Sequence, residues 1–188
     1  MKTQAILFNL LLLTMIAKSS LAQTAIPRDT STGLIAYQGV VKDDSVAKEE
    51  LYARAKSWIL KTLKSSDNMV QLDDKDFNSI TGSGTILLDK KSSGPYSYQN
   101  GKLNFKLTVQ FKDGRLRYTF ENFTYWGEVF ALMQSTPMKT VNSGLEELTL
   151  PGNGKKSVMD NVDEKMKALV LSFTNAVSKA NAAQKDDW

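Results

Sequence analysis

Histidine and cysteine are both absent from the 188 residues. With them go the commonest devices for nucleophilic, acid–base and metal chemistry. A Ser-His-Asp or Cys-His arrangement cannot be assembled, and zinc lacks its usual ligands. Ser-Lys chemistry and paired carboxylates are what remain. Glu146 and Glu147 are adjacent, so in a strand they point apart, as solvated surface charge does. Asp73, Asp74 and Asp76 form the densest acidic group before the C-terminal region. Their oxygens suit Ca²⁺, but the spacing fits no EF-hand loop and Asp is frequent in turns, so a turn is expected. Gly82-Ser83-Gly84 sits inside a strand pattern and opens no helix, which denies it the setting of a phosphate loop. Close backbone packing explains the glycines better. The expectation is therefore no metal, no cofactor and no catalytic set: not an enzyme. A carboxylate or Ser-Lys enzyme and a structural envelope component are the alternatives.

Two groups of residues are suited to binding. Lys106, Lys112, Arg115 and Arg117 fall on the polar side of two alternating strands. They could meet an anionic glycan, a peptide or a lipid headgroup; a solvated sheet face partly balanced by Glu121 is the simpler account. Tyr96, Tyr98, Tyr125 and Trp126 are aromatics outside the expected core. They either stack on a sugar or anchor a partner, or else cap the ends of the core.

The elements that position these residues are legible from periodicity. Leu34 to Lys42 reads as a first strand. Leu51, Ala55, Trp58, Ile59 and Leu63 trace one face of a helix over about 46–64, with Asp43-Asp44-Ser45 available to cap it. Met69 to Leu72 and Ile80 to Leu88 read as strands, with a turn over Asp73 to Asn78. Asp89 to Gly101 reads as loop because Gly94-Pro95 and Asn100-Gly101 are strong turn formers. Leu103 to Phe111 and Leu116 to Phe120 alternate apolar and polar residues about Asp113-Gly114, the signature of a hairpin with a type I′ turn. Such a turn sets Phe111 opposite Leu116, Val109 opposite Tyr118, Leu107 opposite Phe120, Lys106 opposite Glu121 and Thr108 opposite Thr119. One side of that sheet is buried and the other is wet. Residues 126–156 read as an irregular connection. Met159, Val162, Met166, Leu169, Val170, Phe173 and Val177 then mark one stripe of a second helix over about 158–180.

Residues 1–22 have the form of a secretory signal peptide. Lys2 is the positive end, Ala5 to Ala17 the apolar run, and Ser20-Leu21-Ala22 a small-x-small cleavage site. The run is short for a membrane span, which takes about 20 apolar residues. An exported product, periplasmic or secreted, is expected. Without a cysteine after the signal it is not a lipoprotein. The formal charge of +4 includes Lys2 and Lys18; without these two, 22 basic residues face 20 acidic ones. A net charge of +2 gives no case for a nucleic-acid partner. Partners are instead expected among glycans, peptides or envelope proteins. Residues 23–33 read as a linker, 34–181 as a single domain and 182–188 as a polar tail.

Several motifs together resemble one bacterial family. They are Leu51-Tyr52 with Ala55-Lys56 and Trp58, then Val70 to Lys75, then Ile80 to Ile86, and the hairpin Lys112 to Tyr118. As a set they are similar to DUF4468, a domain of unknown function with a TBP-like fold found largely in Bacteroidetes. The resemblance covers roughly Tyr37 to Phe123. It implies an α+β fold of order β-α-β4-α: a curved five-stranded antiparallel sheet with two helices on one face. It implies an exported setting, no activity and no catalytic residues. DNA binding does not follow from the fold.

Overall fold

The structure is a computed structural model that describes residues 26–63, 72–74 and 78–178. Nine elements follow one another: β1 (Tyr37–Lys42), α1 (Lys48–Thr62), β2 (Leu72–Asp74), β3 (Ser79–Leu87), β4 (Lys91–Ser93), β5 (Tyr96–Lys112), β6 (Arg115–Ala131), β7 (Lys139–Gly144) and α2 (Gly154–Ser178). All strands join one antiparallel sheet, whose main path runs β1-β6-β5-β3-β2. Those are the five strands expected from sequence, and both helices lie on the same side of them.

β5 and β6 are long because each continues past its first partner. β6 pairs with β1 through residues 115–120 and with β7 through 124–129. β5 pairs with β3 through 102–110 and with β4 through 96–98. The hairpin register is the expected one, with Phe111 opposite Leu116, Val109 opposite Tyr118, Leu107 opposite Phe120, Lys106 opposite Glu121 and Thr108 opposite Thr119.

Four expectations are corrected. Residues 89–101 are not a loop, because β4 and the start of β5 form a hairpin about Gly94-Pro95. Asn100-Gly101 is a bulge and not a turn: Asn100 has φ 53°, and the register slips between Gln99 and Lys102. A bulge and a turn both need a residue that tolerates left-handed backbone, and Asn followed by Gly serves either. The stretch 126–156 is not irregular throughout, since it holds the end of β6, all of β7 and the start of α2. Residues 26–33, read as part of a linker, fold back on the domain. Arg28 bridges Ile35, and the Ala36 amide donates to Pro27 at 3.1 Å.

The Asp113-Gly114 turn also differs in type. Only Gly114 has a positive φ (68°), whereas type I′ needs it at both positions. Asp113 has a second duty. Its Oδ1 accepts the Lys48 amide at 3.2 Å at the start of α1. That helix begins at Ala47 with no side-chain cap of its own, so Asp43-Asp44-Ser45 does not cap it; Asp43 instead accepts the Ser45 hydroxyl at 2.6 Å. The β1–α1 connection is further tied to the hairpin by Asp43 N–H to Gly114 O at 2.8 Å and Gly114 N–H to Val46 O at 3.1 Å.

The core lies between helices and sheet. Leu51, Ala55, Trp58, Ile59 and Leu63 of the expected α1 stripe are all buried, and so are Val162, Met166, Phe173 and Val177 of α2. Phe173 meets Trp58, Tyr118 and Phe120 edge to face, with centroids 5.0–6.3 Å apart, an arrangement that favours aromatic pairs. Gly84 permits a close approach, since a Cβ there would lie 2.5 Å from Phe105 Cζ. Arg54, off the apolar stripe, is buried all the same. Its Nε donates to Glu50 at 2.7 Å and its Nη1 to the Val177 carbonyl at 3.1 Å, joining α1 to the end of α2. Asp73 and Asp74 lie in β2 and not in a turn. Asp76, the signal peptide, residues 69–71 and the polar tail lie outside the described residues.

Candidate binding face

Among the described residues no helix covers one side of the sheet, and strand pairing places the residues of that side in rows. At the hairpin end Lys42, Arg115 and Lys112 face one another across β1, β6 and β5. The next row is Val40, Arg117, Gln110, Ser79 and Asp74. Three of the four expected cations therefore converge, and Lys42 joins them. Lys106 does not. It stands further along the face, 3.8 Å from Glu121.

Facing residues of an antiparallel pair have Cα atoms about 4.5–5.5 Å apart, and like charges set so close destabilise the pair. Of the acids in the neighbouring turns, Asp43 accepts from Ser45 and Asp113 from the Lys48 amide, while Asp44 is exposed beside Gly114. Arg117 reaches Gln38 Oε1 at 3.5 Å. Among the described residues, neither Lys42, Lys112 nor Arg115 has an ion-pair partner.

The middle rows are short and polar. Gln38, Thr119, Thr108 and Thr81 form one; Thr124, Asn104 and Thr85 form another, in which Thr85 donates to Asn104 Oδ1 at 2.7 Å. Toward the far end Asn142, Trp126, Lys102 and Leu87 face one another across β7, β6, β5 and β3. The Lys102 ammonium lies over the Trp126 ring, 5.3 Å from its centroid.

The other expected aromatics are not on this face. Tyr98 and Tyr125 are buried at 2% and 1% exposure. The Tyr98 hydroxyl donates to the Pro151 carbonyl at 2.6 Å and holds the approach to α2. Burial is the main reason that the Tyr125 phenol is pushed up to about 12, with Tyr98 beside it adding to the shift. Burial raises Tyr98 as well. Tyr96 is half-buried beside Gly152. The bulges explain the placement. An extra residue at Asn100-Gly101 in β5, and another at Asn122 (φ 57°) in β6, reverse the odd–even pattern midway. Tyr98 and Tyr125 thereby stay on the core side, and Trp126 is put on the open side.

Each bulge coincides with a break between flanking strands. Beside Asn122, between β1 and β7, is a cleft of about 290 Å³ lined by Asp29, Glu121, Asn122, Thr124 and Glu146 among others. Its acids already have partners. Asp29 is held below the ordinary carboxylate range, first by the Ser31 hydroxyl and then by the Thr32 and Ser31 amides, and Glu146 accepts the Ile35 amide at 2.9 Å. Glu146 is therefore not plain surface charge, while Glu147 is exposed. Beside Asn100, between β3 and β4, is a larger cleft of about 520 Å³ whose lining includes Leu87, Lys90, Gln99, Asn100, Lys102 and Trp126. Among the described residues no three acidic side chains converge to hold a metal ion. Sequence reasoning passed over Lys42, Lys102, Gln99, Asn100 and Asn142. Only cross-strand register joins them to the rest, and register beyond the hairpin depends on the two bulges.

Residues 37–126 match the sequence profile of DUF4468, a domain of unknown function with a TBP-like fold. The chain carries a DUF4468 domain. Two solved structures share its architecture. A TBP-like protein from Parabacteroides distasonis superposes with a TM-score of 0.63 at 14% identity, over 83% of this chain and 99% of its own. A DUF4468 family protein from Bacteroides ovatus gives 0.62 at 16% identity, over 85% and 94%. At such identities the likeness concerns the fold. No curated protein matches the sequence.

Proposed function

We propose that this DUF4468 protein is a non-enzymatic binding module of the bacterial cell envelope, exported through residues 1–22, and that it meets an anionic partner with the basic end of its open sheet face. One observation carries the reading. Lys42, Arg115 and Lys112 face one another across three strands with no described acid in their row, and the acid of the next row, Asp74, stands three strands away from Arg117. Such a cluster opposes folding through like-charge repulsion, and a polyanion laid across it relieves the repulsion. The export pattern, Lys2 with the apolar run and Ser20-Leu21-Ala22, supports an envelope setting.

The test is titration of residues 23–188 with dextran sulfate, and with neutral dextran, at several salt concentrations. The sulfated polymer should bind in a salt-dependent way and the neutral one should not. Lys112→Ala with Arg115→Ala removes two exposed charges at about 0.2–1 kcal/mol each, so affinity should fall about two- to thirtyfold. Equal binding by the double variant would refute the reading.

A further inference from the structure

The opposite end of the open face supports a different and more specific site. From the Trp126 groove we infer a subsite for one ring of an acidic saccharide, such as a uronic acid unit. It is carried by residues other than the basic cluster, and about 35 Å of strand separates Arg115 from Trp126 at the usual rise per residue.

Four features of the groove match four parts of such a ligand. Trp126 offers a flat apolar ring on a mostly polar face, half-buried and therefore held in place, and a pyranose presents an apolar face of C–H groups to such a ring. Leu87, in the same row, is 69% exposed and extends the apolar floor. Lys102 and Lys90 bring two ammonium groups to the cleft, where a carboxylate would sit. Side-chain amides flank the ring for the hydroxyls. Asn142 is its direct cross-strand neighbour. Gln99 Nε2 donates to the Ser97 hydroxyl at 2.7 Å and Asn100 Nδ2 to Glu128 at 2.5 Å. Each contact orients its amide and leaves the amide oxygen to accept a sugar hydroxyl.

Lys102 is the adjustable part. Its ammonium rests over the indole, and an exposed cation–π contact is weak enough for a ligand to displace. A sugar ring taking that face of the indole moves the ammonium to the rim, where it meets the ligand's carboxylate. The volume of about 520 Å³ lies within the usual range for small-molecule sites, about 300–1,000 Å³. The left-handed bulge at Asn100 opens the cleft, because it falls where β3 ends and before β4 begins to pair.

Calorimetric titration of residues 23–188 with short galacturonic acid oligomers, and with neutral galactose oligomers of equal length, tests the site. The acidic oligomer should bind in a saturable manner and the neutral one more weakly. Trp126→Ala should weaken binding about tenfold, the equivalent of a lost aromatic contact of about 1.4 kcal/mol. Trp126→Phe, which keeps an aromatic ring, should lose less and guards against a folding defect in the alanine variant. Lys102→Ala should narrow the preference for acidic over neutral oligomers about two- to fivefold. Trp126→Ala should still weaken binding of the short oligomer when Lys112→Ala and Arg115→Ala are also present. The inference is overturned if neither oligomer binds, if acidic and neutral oligomers bind alike, or if both Trp126 variants bind like the unchanged protein. It is also overturned if the loss follows Lys112 and Arg115 instead, an outcome that would leave the basic-end reading standing.

Discussion

The same two strands build both faces of this sheet, and the faces obey different rules. On the covered side Leu103, Phe105, Leu107, Val109 and Phe111 of β5 meet Leu116, Tyr118 and Phe120 of β6, all buried beneath the helices. On the open side the residues between them are Asn104, Lys106, Thr108, Gln110 and Lys112 against Arg115, Arg117, Thr119 and Glu121. Burial of apolar area, at about 25 cal/mol per Å², concentrates folding free energy on the first set. The second set contributes little to it and in the row of three cations opposes it. One strand pair thus separates stability from recognition at alternate residues, so each can be changed with little effect on the other.

Substitutions can break or sharpen that contrast. Phe173→Ala on the covered side should have the largest effect. It removes a fully buried ring with three aromatic neighbours, and a loss of about 3–5 kcal/mol is expected in chemical denaturation. A loss below about 1 kcal/mol would mean that the helices contribute little to the core.

Alkali should act on the same side. Tyr125 is raised from 10.0 to about 12. A phenol with a raised folded pKa favours folding fully below its unfolded value. That contribution is lost as pH rises from about 10 through about 12, because the unfolded chain releases its proton first. The shift corresponds to about 3 kcal/mol. Tyr125→Phe should flatten the fall of stability across that window, seen as a smaller drop in denaturation midpoint; an unchanged slope would place the titration elsewhere.

Asp113→Ala tests the link between hairpin and helix. The side chain caps α1 from a distant turn, and loss of a cap costs about 1 kcal/mol. The smallest effect belongs to the open face: Thr119→Ala should shift stability by no more than about 0.5 kcal/mol. A larger loss there would show that the two faces are not separable.

Much of this contrast was legible in the chain. The alternation from Leu103 to Phe120 gave both the buried side and, through a two-residue turn, the register. The stripes from Leu51 to Leu63 and from Met159 to Val177 gave the helices. The bulges were not legible as such, because Asn100-Gly101 carries the same local signal as a turn. That ambiguity hid β4 and the first residues of β5, and with them the burial of Tyr98. β7 was missed for another reason: Lys-Thr-Val-Asn-Ser-Gly at 139–144 has a single buried apolar residue, and an edge strand with so little pattern forms by pairing with β6 and not by propensity.

By itself, then, the sequence determined the secondary structure with strong periodicity, the absence of His and Cys chemistry, and which hairpin residues share a face. These follow from spacing along the chain, because strand and helix periods are fixed by backbone geometry. Tertiary structure alone decided that Trp126 stands with Lys102 and Asn142, that Lys42 joins Arg115 and Lys112, and that Tyr98 and Tyr125 belong to the core. Each of those placements depends on cross-strand register, and one extra residue in a strand moves every later side chain to the other face.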